Sequence, residues 1–459
     1  MVPFRFLNVL PNQSRVLLSL ACLFFMVGSA FADDWPQFRG PNRDGISGES
    51  GWSTDWSKEG LPILWKVSVG RGYSSVSVVK NRLYTIGLIT NQDKKDAPTH
   101  EVVQCLDVDT GKPIWNFVCS TSIQKSFPGA RSTPTVHGNH VYVYGQGGEL
   151  YCLDADSGKV VWQKFLMTEL AALKVIYGYA ASPLILGDLV MVPARILKAK
   201  PTKDIKPNAD GLLLAFEKKT GKEVWRVYHP SAEIGGGYWA CPTACTINDK
   251  PCLVYSSGNA ILGIDPMTGK MLWKYEFSAE DLKTKTGHKG ITAQEPVVLG
   301  DRIICCIHPD NSDGVGVCLE VKGTEVKEVW RDRLLDHYTC CNIIWKDHVF
   351  GITHNDTASR IGPLYCIEVK TGKIKWQQNK VGGAFTLVDN KFLTFDGREL
   401  TLIEASTEGF KELGRSQKLF SQKESTFPYS DRIAPVLANG RLYCRNQDGY
   451  LVCLDVRKK

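Results

Sequence analysis

The stretch CLDVDTGKPIW (Cys105–Trp115) sets a Gly-Lys pair directly after an apolar run. Read alone, it suggests a loop that cradles a phosphate. It returns as CLDADSGKVVW ending at Trp162, AFEKKTGKEVW at Trp225, GIDPMTGKMLW at Trp273 and CIEVKTGKIKW at Trp376. A phosphate loop occurs once per site and is followed by a helix. A phrase that recurs five times, each copy running into a Trp, is architecture. The Gly-Lys pair is read as a hairpin turn, in which glycine takes the positive φ that other residues resist.

Each unit keeps one order. A segment of small and β-branched residues leads, often with Pro, as in ARSTPTV, AASPLIL and AQEPVVL. A turn rich in Gly, Asn and Asp follows, then a β-rich run such as HVYVYG, then the YCLD run, the turn and the Trp-ending strand. These are four short strands with hairpin chemistry between them. The marker residues Trp65, Trp115, Trp162, Trp225, Trp273, Trp330 and Trp376 stand 46 to 63 residues apart. A period of roughly that size with four strands indicates a β-propeller. After Trp376 comes a degenerate unit with Phe420 read in the Trp place. The final RIAPVLANGRLYCRNQDGYLVCLDV supplies three strands, and LPILWKV around Trp65 supplies the fourth. The expected fold is therefore all-β, an eight-bladed propeller of four-stranded blades. Its ring is closed by the N-terminal strand pairing with the C-terminal blade, which removes open sheet edges. The marker Trp residues are expected to pack between neighbouring blades.

Residues 1–32 read as a secretory signal. Arg5 and Arg15 precede the apolar VLLSLACLFFMV, and Ala30-Phe31-Ala32 is a small-x-small cleavage site. Residues 33–59 are then a leader and 60–459 the propeller, with the mature protein exported to the periplasm or cell envelope. No later stretch is long and apolar enough to span a membrane. Without the two arginines the net charge falls from +7 to +5, which gives no argument for nucleic acid. The chain has 15 Cys. Cys105, Cys152, Cys318, Cys366 and Cys453 share one repeat position, which Ala215 and Gly263 take elsewhere. Such a position wants a small buried side chain, and free Cys suits it. The vicinal pairs Cys305-Cys306 and Cys340-Cys341 are read as core residues, because adjacent strand side chains point to opposite faces. PDNSDGVGVCLE (309–320) has partial calcium-loop spacing but lacks the first carboxylate and the flanking helices, and is read as a hairpin loop.

The long connections, 88–101, 195–210, 308–316 and 353–363, all lie between the second and third strands of their units. Insertions gathered on one face mark a binding face. The starts of the inner strands open onto that face and gather Arg131, Trp239, Glu295, Tyr338, Asp431 and Arg432 near one axis. They are read either as a pocket for a polar or carboxylated ring compound or as the wet mouth of a channel. The His residues show no metal spacing, and no metal ligands are assigned.

The blade phrase, with its LYCLDxxTGKxxW core, resembles the pyrroloquinoline quinone (PQQ) repeat over residues 60–456, and DWPQFRGPNRDGIS (34–47) resembles the start of BamB-like PQQ-repeat propellers. Trp35 and Phe38 are read as anchors of the leader on the ring, with Arg39 and Arg43 expected to face solvent. The resemblance implies two classes of protein. Quinoprotein dehydrogenases bind PQQ and Ca²⁺, with a vicinal disulfide, a Trp under the quinone and Glu, Asn and Asp around calcium. BamB-like members are envelope binding scaffolds without cofactor. No Glu/Asn/Asp set matches here by motif, and no catalytic residue is carried over. The leading expectation is a monomeric, non-catalytic binding or assembly scaffold without cofactor, taking a protein or small polar ligand on the long-loop face. The alternative is a PQQ- and calcium-dependent alcohol or sugar dehydrogenase. In it Trp239 would stack on the cofactor, Arg131 would bind its carboxylate, and Glu295 would sit near a cation.

Overall fold

The computed structural model describes residues 33–56, 60–90, 99–120, 127–175, 177–197, 209–229, 239–278, 280–281, 294–307, 314–333, 335, 342–353, 362–426 and 432–458. The secretory signal, Tyr338, Asp431 and Cys340-Cys341 lie outside them. The strands form eight sheets, each the blade of a propeller. Blade 1 is Ser77–Val79, Arg82–Thr90, Thr99–Asp107 and Pro113–Ser120, named A to D from the axis outward. Blades 2 to 7 follow in chain order, with the same antiparallel pairing. Blade 8 takes its A, B and C strands from Val436–Ala438, Arg441–Arg445 and Tyr450–Asp455, and its D strand from Ile63–Ser68. Ile63 faces Leu454 and Trp65 faces Cys453, so the ring closes as the sequence predicts.

The repeat phrase has a packing reason. In every blade the register between C and D strands shifts near the start of the D strand. That bulge sets the marker Trp opposite the small position: Cys105 faces Trp115, Ala215 faces Trp225 and Gly263 faces Trp273. A Cβ on Gly263 would lie 2.0 Å from the Trp273 ring. The position is small because an indole lies across it. The indole then reaches the next blade. The Nε1 atoms of Trp65, Trp115, Trp162, Trp225, Trp330 and Trp376 donate to carbonyls of Val108, Ala155, Lys218, Pro266, Val369 and Ser406 at 2.8 to 3.1 Å. The ring also covers the neighbour's turn glycine. Gly111 has φ 68°, and a Cβ there would meet Trp65 at 2.7 Å, so conformation and space both demand glycine. The Asp that opens the turn closes it: Asp107 Oδ1 accepts from the Thr110 amide and hydroxyl.

Nearer the axis, inner-strand hydroxyls tie blades 1, 2, 4 and 7 each to the next. Ser77, Thr135, Thr243 and Thr386 Oγ donate to the carbonyls of Pro134, Pro183, Pro296 and Pro435 at 2.6 to 2.8 Å. The cysteines at the repeat position are buried, and the described cysteines are free. Cys305 packs toward one seam and Cys306 toward the other, as adjacent strand residues should.

Blade 7 departs from the sequence reading. Its D strand is Glu412–Arg415, and the residue opposite Leu402 is Gly414. Phe420 therefore does not take the Trp place. It lies beyond the strand, in the seam between blades 7 and 8, together with Trp52, Leu61 and Leu419. The leader fills the position instead: the Trp56 ring lies 3.7 Å from where a Gly414 Cβ would stand.

Candidate functional site

The leader crosses the axis of the ring. Trp35 exchanges two backbone hydrogen bonds with Val78, Pro36 accepts from Val136, and Gly45 accepts from Leu387. Ile46–Ser47 then runs parallel to Leu387–Val388 as a fifth, innermost strand of blade 7. Between these anchors, the turn around Pro41 and Asn42 points two arginines inward. Arg39 and Arg43 are only 8% and 7% exposed, contrary to the expectation that they face solvent. Arg39 Nη2 donates to the Asn342 carbonyl at 2.7 Å, and its other bonds go to the carbonyls of Arg43 and Asp44. Arg43 donates to the carbonyls of Ser182 and Pro183.

Both meet Glu295 at the start of the blade 5 inner strand. Arg43 Nη2 lies 3.3 Å from Oε1 and Arg39 Nε lies 3.5 Å from Oε2. All three side chains are buried, so each charge depends on the others. Burial lowers the Arg39 pKa, with Glu295 opposing the shift. The Cys241 thiol is pushed up by burial first and by the Glu295 charge second. Glu295 thus has its counter-charge from within the chain.

The other two sequence-predicted site residues lie apart from this triad, in the connections that lead into the inner strands. Arg131 donates to the carbonyls of Gly129 and Phe127 and lies over the Tyr73 ring, 5.3 Å from its centroid. Arg432 lies over the same ring, also at 5.3 Å. Trp239 Nε1 donates to the Gly178 carbonyl, and its ring packs on Tyr177 at 5.6 Å. Tyr177 meets Phe127 edge-on at 5.6 Å. The result is a belt running Arg432, Tyr73, Arg131, Phe127, Tyr177, Trp239 around one side of the mouth. It crosses five consecutive inter-blade connections, on the face where the B strands end and the C strands begin.

Sequence reasoning found Arg131, Arg432 and Trp239 but missed Tyr73, Phe127 and Tyr177. The available signal was an aromatic just ahead of each inner strand, in GYSS, FPGARS and YGYAAS. Phe127 and Tyr177 have φ of 49° and 63°, a strained setting for aromatic residues, and Phe127 is 52% exposed. Behind the belt lies the buried Glu101, whose carboxyl is pushed up to about 7 by burial, opposed by the Gln146 amide and Arg131.

A cavity of about 40 Å³ lies between the leader and blades 7, 8 and 1, lined by Trp35, Phe38, Arg39, Phe385, Arg432 and their neighbours. It has room for a water molecule or so. Among the described residues, those read from the sequence as candidates for PQQ and calcium already have partners within the chain. Glu295 pairs with Arg43, Trp239 packs on Tyr177, Arg131 donates to its own loop, and Cys306 Sγ bonds Gln294. Among the described residues no three metal-ligating side chains converge.

A family model described as outer membrane protein assembly factor BamB matches residues 99–378. The chain belongs to this family. Among solved structures, BamB from Moraxella catarrhalis is similar at 14% identity and TM-score 0.56, over 87% of this chain and 98% of that one. Quinohemoprotein alcohol dehydrogenase from Comamonas testosteroni is similar at 14% identity and TM-score 0.60, over 93% and 81%. The computationally designed Ika8 protein has TM-score 0.52 at 10% identity, over 86% and 100%. At these identities the likeness concerns the fold. No curated protein sequence matches the chain. The BamB family and the quinoprotein dehydrogenase share this propeller, so the site must separate them. Among the described residues no helix is long and apolar enough to cross a membrane.

Proposed function

We propose that this chain is a non-catalytic protein-binding scaffold of the cell envelope that docks a partner on the belt at the ring's mouth. The observation that carries this reading is the Arg39–Glu295–Arg43 triad. The leader occupies the axis and supplies the charge that a cofactor cation would otherwise supply. The belt has the composition of an interface anchor: Tyr, Trp, Phe and Arg on one rim. The family description and the apolar stretch read as a signal support the envelope location.

Isothermal calorimetry of residues 33–459 with PQQ and Ca²⁺ tests the reading. No saturable heat is expected, and calcium-dependent saturation would replace the scaffold by the dehydrogenase. A photo-crosslinker placed at Phe127 is expected to trap a defined envelope protein, with the yield falling at least tenfold in Arg131→Glu. An unchanged yield would remove the belt from the interface.

A further inference from the structure

The cysteines outside the repeat position include a pair that the regular packing does not require. Cys245 and Cys252 lie directly opposite each other on the A and B strands of blade 4, at Thr243–Ile247 and Lys250–Ser257. A two-residue turn joins the strands, with Asn248 and Asp249 at φ 48° and 59°, which fixes the register. Directly opposite residues share a face of the sheet, with Cα atoms about 4.5 to 5.5 Å apart, within the range a disulfide spans. Cys245 Sγ lies 3.5 Å from the Cys252 carbonyl oxygen. Cys252 Sγ in turn lies 3.6 Å from the Leu253 carbonyl oxygen. Cys252 is 2% exposed, whereas Cys245 is the one described cysteine that is not buried. An oxidant therefore meets Cys245 first and finds its partner across the hairpin.

We propose that Cys245 and Cys252 form a reversible cross-strand disulfide on the A–B hairpin of blade 4. The oxidant is a disulfide of the glutathione class. The Cys245 thiolate attacks one glutathione sulfur, and the first glutathione leaves as a thiolate and takes up the Cys245 proton. The Cys252 thiolate then attacks the Cys245 sulfur of the mixed disulfide. The S–S bond closes, and the second glutathione leaves with the Cys252 proton. Two protein thiols are oxidised and one glutathione disulfide is reduced to two thiols. A link across so short a hairpin in a regular sheet leaves little room for ideal geometry, and strained disulfides are the labile ones.

The test is mass spectrometry of folded protein held in oxidised glutathione, then unfolded, alkylated and cut with trypsin. Residues 227–270 form one peptide, because Pro251 protects Lys250, and it carries Cys241, Cys245 and Cys252. The expected peptide is about 2 Da lighter, carries one alkyl label, and regains three labels after dithiothreitol. In Cys241→Ala it keeps the loss and carries no label. In Cys245→Ala it shows no loss and carries two. Three labels after oxidation, a loss that vanishes in Cys241→Ala, or stable glutathionylation of Cys245 would each overturn the pairing.

Discussion

The seam between blades 2 and 3 and the seam between blades 7 and 8 solve one packing problem with different parts. In the first, Trp162 crosses from its D strand, covers the turn glycine Gly221 and donates to the Lys218 carbonyl. In the second there is no such turn, because the C and D strands of blade 8 come from opposite ends of the chain. With no hairpin to cover, the preceding blade carries Gly414 where Trp belongs, and Trp52, Trp56 and Leu61 of the N-terminal segment fill the gap. The missing turn is even imitated. Asp455 N donates to the Pro62 carbonyl, the bond that Asp154 makes to Lys159 in a continuous hairpin. Gln417 clasps the cut end, accepting from the Leu61 amide and donating to its carbonyl. A marker Trp thus belongs to the turn it covers, and where the turn goes, the Trp goes too.

Three sets of substitutions probe how far leader contacts and repeat contacts differ. The largest effect is expected at the axis. Glu295→Gln strips two buried arginines of their counter-charge and should cost about 3–5 kcal/mol in urea denaturation. The triple replacement with Met at Arg39 and Arg43 should recover most of it, because no charge is then stranded. A single variant as stable as the parent would mean the arginines find other partners. The seams come next. Trp162→Ala should cost about 3 kcal/mol, since it removes a buried indole and its hydrogen bond. Trp56→Ala should cost about 1–2 kcal/mol, since that ring is partly buried and its Nε1 has no partner. Equal costs would make the leader a full equivalent of a marker Trp. The smallest effect separates two glycines. Gly138→Ala, at φ 60° with open space around it, should cost about 1 kcal/mol. Gly111→Ala, pressed against Trp65, should cost about 2–3 kcal/mol by the same assay.

The ring was legible in the sequence because repetition averages out local ambiguity. Five copies of a turn and six regular Trp spacings gave the blades, the small Cys position and the ring closure. Blade 7 was misread because the Trp was assumed to persist as some aromatic, and Phe420 was the nearest. The arginines at the axis were misread for a different reason. FRGPNRDG has no periodicity, its turn residues resemble an exposed loop, and the carboxylate that pulls it inward is more than 250 residues away. A contact that long-ranged leaves no local trace. Of the belt, Arg131, Trp239 and Arg432 were visible, but Tyr73, Phe127 and Tyr177 were not, and the order around the mouth depends on the positive-φ settings of Phe127 and Tyr177.

Closing the ring with its first strand also fixes when the molecule can finish folding. Ser47 bonds the Leu437 carbonyl across 390 residues of chain. On a chain that emerges from its N-terminus, Trp35, Trp52 and Trp65 appear first and their partners in blades 7 and 8 appear last. Closure of so long a loop is entropically costly and slow. Until the final strand arrives, Trp52 and the strand Ile63–Ser68 lack the partners they have in the closed ring. The segment that completes the native structure is the one that must wait longest to join it.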